Sequence, residues 1–211
     1  KVMGQEQKDC YKIECKENYS FKDILKLKNI PYLLTIYFLV FLGFNFFYIA
    51  FPVHAVIVLN WTLSDIGIFF AYVGLMMVLV QGPILKRVSQ KYSDAILATV
   101  GSFILAISFL FYTSNILWIF YIGGTLLSLG NGLMWSSILS ILSKASEEKY
   151  QGTIQGFAGS AGSLASIIGL IIGGILYEQL GNEIFILSTV VLFISCIMVM
   201  GLLKFKMLSA Q

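Results

Sequence analysis

Six long apolar runs, at roughly 31–53, 65–85, 94–113, 116–140, 153–177 and 183–203, dominate this chain of 211 residues. A helix of about 20 apolar residues spans the hydrocarbon of a bilayer. In lipid no water is available to the backbone, so only helices or closed barrels satisfy its N–H and C=O groups. Barrel strands alternate polar and apolar residues over short stretches. These runs are apolar on nearly every face, so the chain reads as an all-α membrane protein. Charged residues make up 12% of it, against about a quarter in soluble domains. With 58% hydrophobic residues and a mean hydropathy of +0.85, it cannot cover a water-facing surface. The links between runs are short, which implies one bundle of antiparallel neighbours.

Charge placement sets the expected orientation. The 14 Lys and Arg residues fall in four places: the polar tail of residues 1–29, the link after the second run (Lys86, Arg87, Lys91), the link after the fourth (Lys144, Lys149), and the C-terminal end (Lys204, Lys206). With six spans, all four share one side, and the positive-inside rule makes that side cytoplasmic. Trp61, Tyr112, Trp118 and Tyr177 then mark the outer boundary, and Tyr32, Tyr92 and Tyr150 the inner one. The expected organisation is a cytoplasmic tail (1–29), a six-helix transmembrane domain (30–204) and a cytoplasmic C-terminal tail (205–211). Ser20 with Asp23, and Thr62 with Asp65, form capping-box patterns. The first places a short interfacial helix in the tail, and the second starts the second span. The location implied is a cell (plasma or inner) membrane, with the lipid bilayer as a partner. The basic residues serve topology, so no nucleic-acid partner is implied.

The link after the second run carries a recognisable pattern. Gly82-x-x-x-Lys86-Arg87-x-Ser89-Gln90-Lys91 resembles the loop signature of the major facilitator superfamily, Gly-x-x-x-Asp-Arg-x-Gly-Arg-Lys. Gly82, Arg87 and Lys91 match, while Lys86, Ser89 and Gln90 depart from it. Such decay is usual in the second copy of the signature, between the eighth and ninth spans of these twelve-span carriers. "SLGNGLMWSSILSILS" resembles the tenth span of drug-efflux members, and "QGTIQGFAGSAGSLASIIGLIIGG" their eleventh. The resemblance covers essentially the whole chain. It implies the C-terminal six-helix half of a twelve-helix carrier of the drug-efflux and tetracycline-resistance-like branch, built as two three-helix inverted repeats. It further implies an N-terminal six-helix half as partner, a small-molecule substrate and alternating access. A chain that begins with Lys and carries no signal peptide fits a fragment of a longer polypeptide.

Candidate functional residues follow helical spacing. In the fifth run Gln155, Gly159, Gly162, Ser166, Gly169 and Gly173 share one face. Small residues let helix backbones approach closely, so this is a packing stripe, and by the resemblance also a gating seam. The proline that often accompanies such glycines in antiporters is missing. In the first run Tyr37, Phe41, Phe44 and Tyr48 share a face with Asn45 beside them. In the fourth, Gly124, Ser128, Asn131 and Trp135 do the same. Buried amides need hydrogen bonds, so Asn45 and Asn131 are expected to face protein or a wet cavity. The resemblance implies that both faces line the substrate path, Tyr37, Phe41, Asn45, Tyr48, Ser128, Asn131 and Trp135 being the candidates. Aromatic surface with sparse amides suits an amphiphilic, drug-like organic compound better than a sugar phosphate. The third and sixth runs read as lipid-facing supports.

Other readings remain at this point. The chain could be a self-sufficient six-span module acting as a homodimer or assembly subunit. A Ser–His intramembrane protease would need His54 within reach of a serine such as those in "GSAGS". His54, the only histidine, is more simply an interfacial residue, and helical spacing explains the small residues. No enzyme, cofactor or metal site is expected: Cys10, Cys15 and Cys196 lack the spacing partners of a metal site. No mid-membrane Asp, Glu, Lys, Arg or His occurs in the spans, so ion coupling would reside in the other half or be absent. The sequons at Asn18 and Asn60 lie on the wrong side of the membrane and too close to it, respectively.

Overall fold

A computed structural model describes residues 29–145 and 151–208, and the protein is all-helical over them. Its helices are α1 (Ile30–Leu59), α2 (Leu63–Val88), α3 (Asp94–Leu110), α4 (Leu117–Ala145), α5 (Gln151–Leu180) and α6 (Ile184–Leu208). Five stretches are long and apolar enough to cross a membrane. The fifth, Gln151–Leu202, contains both α5 and α6, joined by the 3-10 turn Gly181–Glu183. The tail expected to hold the Ser20–Asp23 box, and Cys10 and Cys15, lies outside the described residues.

Helix ends are longer than hydropathy suggested. Pro52 does not end α1, which runs on to Leu59 and would be about 45 Å long at 1.5 Å per residue. A proline inside a helix removes one N–H, here the partner of the Tyr48 carbonyl, and its ring crowds that carbonyl; the helix continues through both effects. Asn60 then closes α1 in a left-handed conformation (φ 55°), and Thr62 opens α2 with the expected capping box. There Thr62 N donates to Asp65 Oδ2 at 2.8 Å, and Asp65 N to Thr62 Oγ1 at 3.3 Å. At the far end α6 continues to Leu208, so the boundary expected at 204 falls inside a helix.

Chain order does not decide which helices pack. Apart from α3 and α4, consecutive helices barely touch. Instead α1 lies against α5 and α6, α4 against α2 and α3, and α3 also against α6. The tightest crossing joins α3 to α4. A Cβ added at Gly101 would lie 2.5 Å from Met134 N, and one added at Gly130 would lie 2.5 Å from Leu105 N. Two backbones meet there with no side chain between them, which only glycine permits. This corrects the picture of the third run as a mere lipid-facing support. Ala98, Leu105, Ala106 and Phe109 of α3 are fully buried, whereas α2 leaves most of its surface free. The end of the bundle that holds the α1–α2 link is closed by rings: Phe47, Phe51, Phe69, Tyr112, Phe120 and Phe185 are all buried and in mutual contact.

His54 is part of that aromatic layer and not an interfacial residue. It is 1% exposed, parallel to Phe120 at 6.1 Å and edge-on to Phe185 at 5.3 Å. Because α1 continues beyond Pro52, position 54 turns inward. Among the described residues neither ring nitrogen has a hydrogen-bond partner, and the Tyr112 hydroxyl is likewise unpartnered.

Two outcomes are expected. Gly101→Leu or Gly130→Leu forces α3 and α4 apart at a cost of about 3 kcal/mol and lowers the thermal midpoint in detergent. Gly74→Leu, with nothing within 4 Å of its added Cβ, leaves the midpoint unchanged. His54→Leu removes two orphaned polar atoms, a penalty of about 1–3 kcal/mol, and raises the midpoint. A clear fall would show that His54 has a partner essential to the fold.

Candidate functional site

The aromatic spacing of α1 brings Tyr37, Phe41 and Phe44 to one side, facing α4. Tyr37, Phe41 and Trp135 form a triangle with ring centroids 5.0, 5.1 and 5.1 Å apart. Beside it opens a cavity of about 430 Å³, lined by Val40, Phe41, Phe44, Met77, Gln81, Asn131 and Trp135. A second cavity of about 160 Å³ lies alongside, and its wall includes Tyr48, Phe70 and Val73. Phe44, Met77 and Asn131 line both.

Helix α2 reaches the cavity through an irregular turn. Val80–Ile84 is π-helical and includes Gly82 and Pro83. Proline cannot give the α-helical hydrogen bond to the carbonyl four residues back, and a wider turn accommodates that loss. Val80 fills a notch on α4: a Cβ added at Gly132 would lie 2.7 Å from Val80 Cγ1 and 3.4 Å from Gln81 Cγ. Gly132 therefore seats the turn, and Gln81 joins the cavity wall. This accounts for proline in the "QGPILKR" stretch. Gly82 within the turn and Arg87 and Lys91 after it are all exposed, and the two cations make no ion pair among the described residues. The ion pair at this end is instead Lys144 Nζ to Asp94 Oδ2 at 2.6 Å, with Ser140 Oγ donating to the same oxygen at 2.8 Å.

The two asparagines do not share a space. Asn131 lies on the cavity wall, where among the described residues its amide nitrogen meets only Met77 Sδ at 3.8 Å. Asn45 turns away toward α5 and donates to Phe41 O at 2.7 Å and Ser166 Oγ at 3.0 Å. A close approach on that side explains the difference, since a Cβ added at Gly169 would lie 2.8 Å from Asn45 Cβ. Ser128 is also a tie and not a lining residue. It is fully buried, with its hydroxyl 2.9 Å from the carbonyls of both Val73 on α2 and Gly124. Tyr72 and Thr125 reinforce that contact with a hydroxyl pair at 2.6 Å. Tyr37 backs the cavity, and Tyr48, stacked on Phe70, belongs to the smaller one.

The small-residue stripe of α5 divides in the same way. Gly162 receives Tyr37 and Phe41, Gly169 receives Asn45, Gly173 receives Ile49, and Ser166 bonds Asn45. Gln155 and Gly159 are exposed, and nothing lies within 4 Å of a Cβ added at Gly152, Gly156 or Gly159. Helix α2 has a matching open face at Gly67, Ala71, Gly74 and Gly82, exposed throughout. Sequence reading missed that face, and missed Gly101, Gly130 and Gly132. Their signal was present as small residues at helical spacing in α2 and as the "GNG" triplet of α4.

Comparison with known proteins settles the family. The sequence profile of the Major Facilitator Superfamily matches residues 33–207. The chain belongs to the major facilitator superfamily. It is similar to the uncharacterized MFS-type transporter YttB of Bacillus subtilis (strain 168), with 28% identity over 134 residues, covering 62% of this chain and 34% of that protein. Its fold resembles the crystal structure of the human organic anion transporter MFSD10 (TETRAN). The TM-score is 0.73 at 19% identity, over 81% of this chain and 40% of that one. The chain thus spans about a third of the curated relative and two fifths of the solved structure. Membership makes it a multi-pass membrane protein of a transporter family, and points away from an enzyme.

The division of polar roles is open to measurement. Asn45→Leu and Ser128→Ala each break a helix–helix tie and should lower stability by about 1 kcal/mol. Asn131→Leu should leave it nearly unchanged. Thermal unfolding of the three variants in one detergent checks this, and equal losses at positions 45 and 131 would contradict it.

Proposed function

We propose that this chain is the C-terminal six-helix half of a major facilitator carrier of the drug-efflux-like branch. It moves a small amphiphilic organic solute across the cell membrane by alternating access. The observation that carries this reading is the cavity between α1, α2 and α4, walled by aromatic rings, a thioether and two amides. A cavity of about 430 Å³ falls in the range that accepts drug-sized ligands. The shares of the relatives' lengths that the chain covers, 34% and 40%, support its being part of a longer carrier.

Six spans are part of the proposal, with α1–α3 and α4–α6 as two inverted repeats. The packing supports it: α1 against α5 and α4 against α2 are equivalent pairs, as are α3 against α4 and α6 against α1. The pairing of α3 with α6 is its own equivalent. The open small-residue faces of α2 and α5 then correspond too, and together they form the surface on which an N-terminal half would slide. In a homodimer the same faces would meet a second copy, and the length ratio favours the N-terminal half. Both termini and the Lys86–Lys91 link are placed on the cytoplasmic side, from the distribution of Lys and Arg.

Cysteine labelling tests the reading without knowledge of the substrate. In the complete carrier lacking its native cysteines, Ser89→Cys should react with an impermeant thiol reagent only from the cytoplasmic side. Gln81→Cys on the cavity wall should react from either side, depending on the state. Labelling of Ser89→Cys from outside would overturn the orientation, and protection of Gln81→Cys from both sides would overturn alternating access around this cavity.

A further inference from the structure

We infer that the cavity selects uncharged, planar aromatic compounds bearing an amide-like hydrogen-bonding group, and rejects organic anions. This deepens the carrier reading by naming the solute class of the same site. Val40, Phe41, Phe44, Met77, Gln81, Asn131 and Trp135 include no ionisable side chain. An anion held there would lose its hydration with no cation to offset the cost, and would meet the negative faces of aromatic rings. A cation would find those faces more favourable. Yet no carboxylate is on the wall, and Tyr37, Phe41 and Trp135 are engaged with one another at centroid distances of 5.0, 5.1 and 5.1 Å.

What the wall does offer is two unspent carboxamides. Gln81 makes no hydrogen bond among the described residues, and it is exposed at the π-helical turn. Asn131 uses only its nitrogen, toward a thioether sulfur 3.8 Å away, which is a weak acceptor. Its carbonyl oxygen makes no hydrogen bond among the described residues and is not among the buried unpartnered atoms, so it remains available. The contrast with Asn45 is informative, because that amide is spent on Phe41 O and Ser166 Oγ. Two side chains, each with a donor and an acceptor, complement a carboxamide, lactam or heteroaromatic amide. Flat rings suit the space between Phe41, Phe44 and Trp135, and Met77 adapts to their outline.

Three probes on one ring framework separate charge from shape: 2-naphthamide, 2-naphthoate and 2-naphthylmethylammonium. Their binding is measured by equilibrium dialysis at pH 7.5 against the full chain in lipid nanodiscs, with empty nanodiscs as background. The naphthamide should bind at least about tenfold more tightly than the naphthoate, and more tightly than the ammonium compound. Asn131→Leu and Gln81→Leu, singly and together, should erase that preference. The ranking on the unaltered chain decides by itself, whatever the variants do. Naphthoate or ammonium binding as tight as naphthamide overturns the inference. So does the absence of saturable binding by monodisperse, helical protein. Failure of the cysteine-accessibility test with the probe ranking intact would remove the carrier reading and leave this one standing.

Discussion

The contact of α3 with α4 through Gly101 and Gly130 is the constraint on which the arrangement of the site depends. Each glycine's missing Cβ is replaced by the other helix's backbone, so neither helix can rotate without a clash. Successive residues of a helix are about 100° apart, so the three residues of the "GNG" triplet point in three directions. Gly130 meets α3, Gly132 receives Val80 of α2, and Asn131 between them is left for the cavity. One tripeptide therefore spaces two neighbours and aims the polar group. With α4 held, Gly132 also seats the π-helical turn of α2 that brings Gln81 to the wall.

A second organising feature is the use of similar polar groups for opposite purposes. Asn45 and Ser128 lie on the two helices that frame the cavity, yet both spend their hydrogen bonds on flanking helices. Asn45 goes to Ser166 of α5 and Ser128 to the Val73 carbonyl of α2. In an apolar medium such ties typically contribute about 0.6 kcal/mol each, and rarely more than about 2 kcal/mol. Their value here is positional. They fix the frame, and Asn131 and Gln81 are left on the cavity wall. Two large aromatic assemblies support the frame. One is the Tyr37–Phe41–Trp135 triangle, and the other is the ring layer around Tyr112, Phe120 and His54.

The surface of the bundle is equally organised. Helices α2 and α5 each show a small-residue face with no neighbour among the described residues, while the other half of the α5 stripe is tightly filled by α1. A smooth face of glycine and alanine permits close backbone approach without interlocking side chains. That property fits a surface that slides, and it explains why one glycine-rich helix can serve a fixed contact at Gly169 and an open one at Gly156.

The amino-acid sequence by itself determined that the chain is helical, membrane-spanning and a major facilitator relative. The first two follow from local quantities: run length, hydropathy, the capping pair Thr62–Asp65, and backbone hydrogen bonds that close within each helix. The family likeness rested instead on the loop pattern from Gly82 to Lys91 and on the patterns of the fourth and fifth runs. The face of α1 that carries Phe41 and the face of α4 that carries Asn131 and Trp135 were each legible too, because helical spacing places residues on a face without reference to a partner. Only the tertiary structure decided what each face meets. Asn45 and Asn131 are the same residue type in equally apolar runs, and the close approach of Gly169 on one side and of Met77 on the other separates their roles. His54 turns inward because α1 passes through Pro52, and α3 is buried because Gly101 finds Gly130. Partner choice in a bilayer is a matter of shape between residues far apart in the chain, and hydropathy, nearly uniform along every helix, carries no record of it.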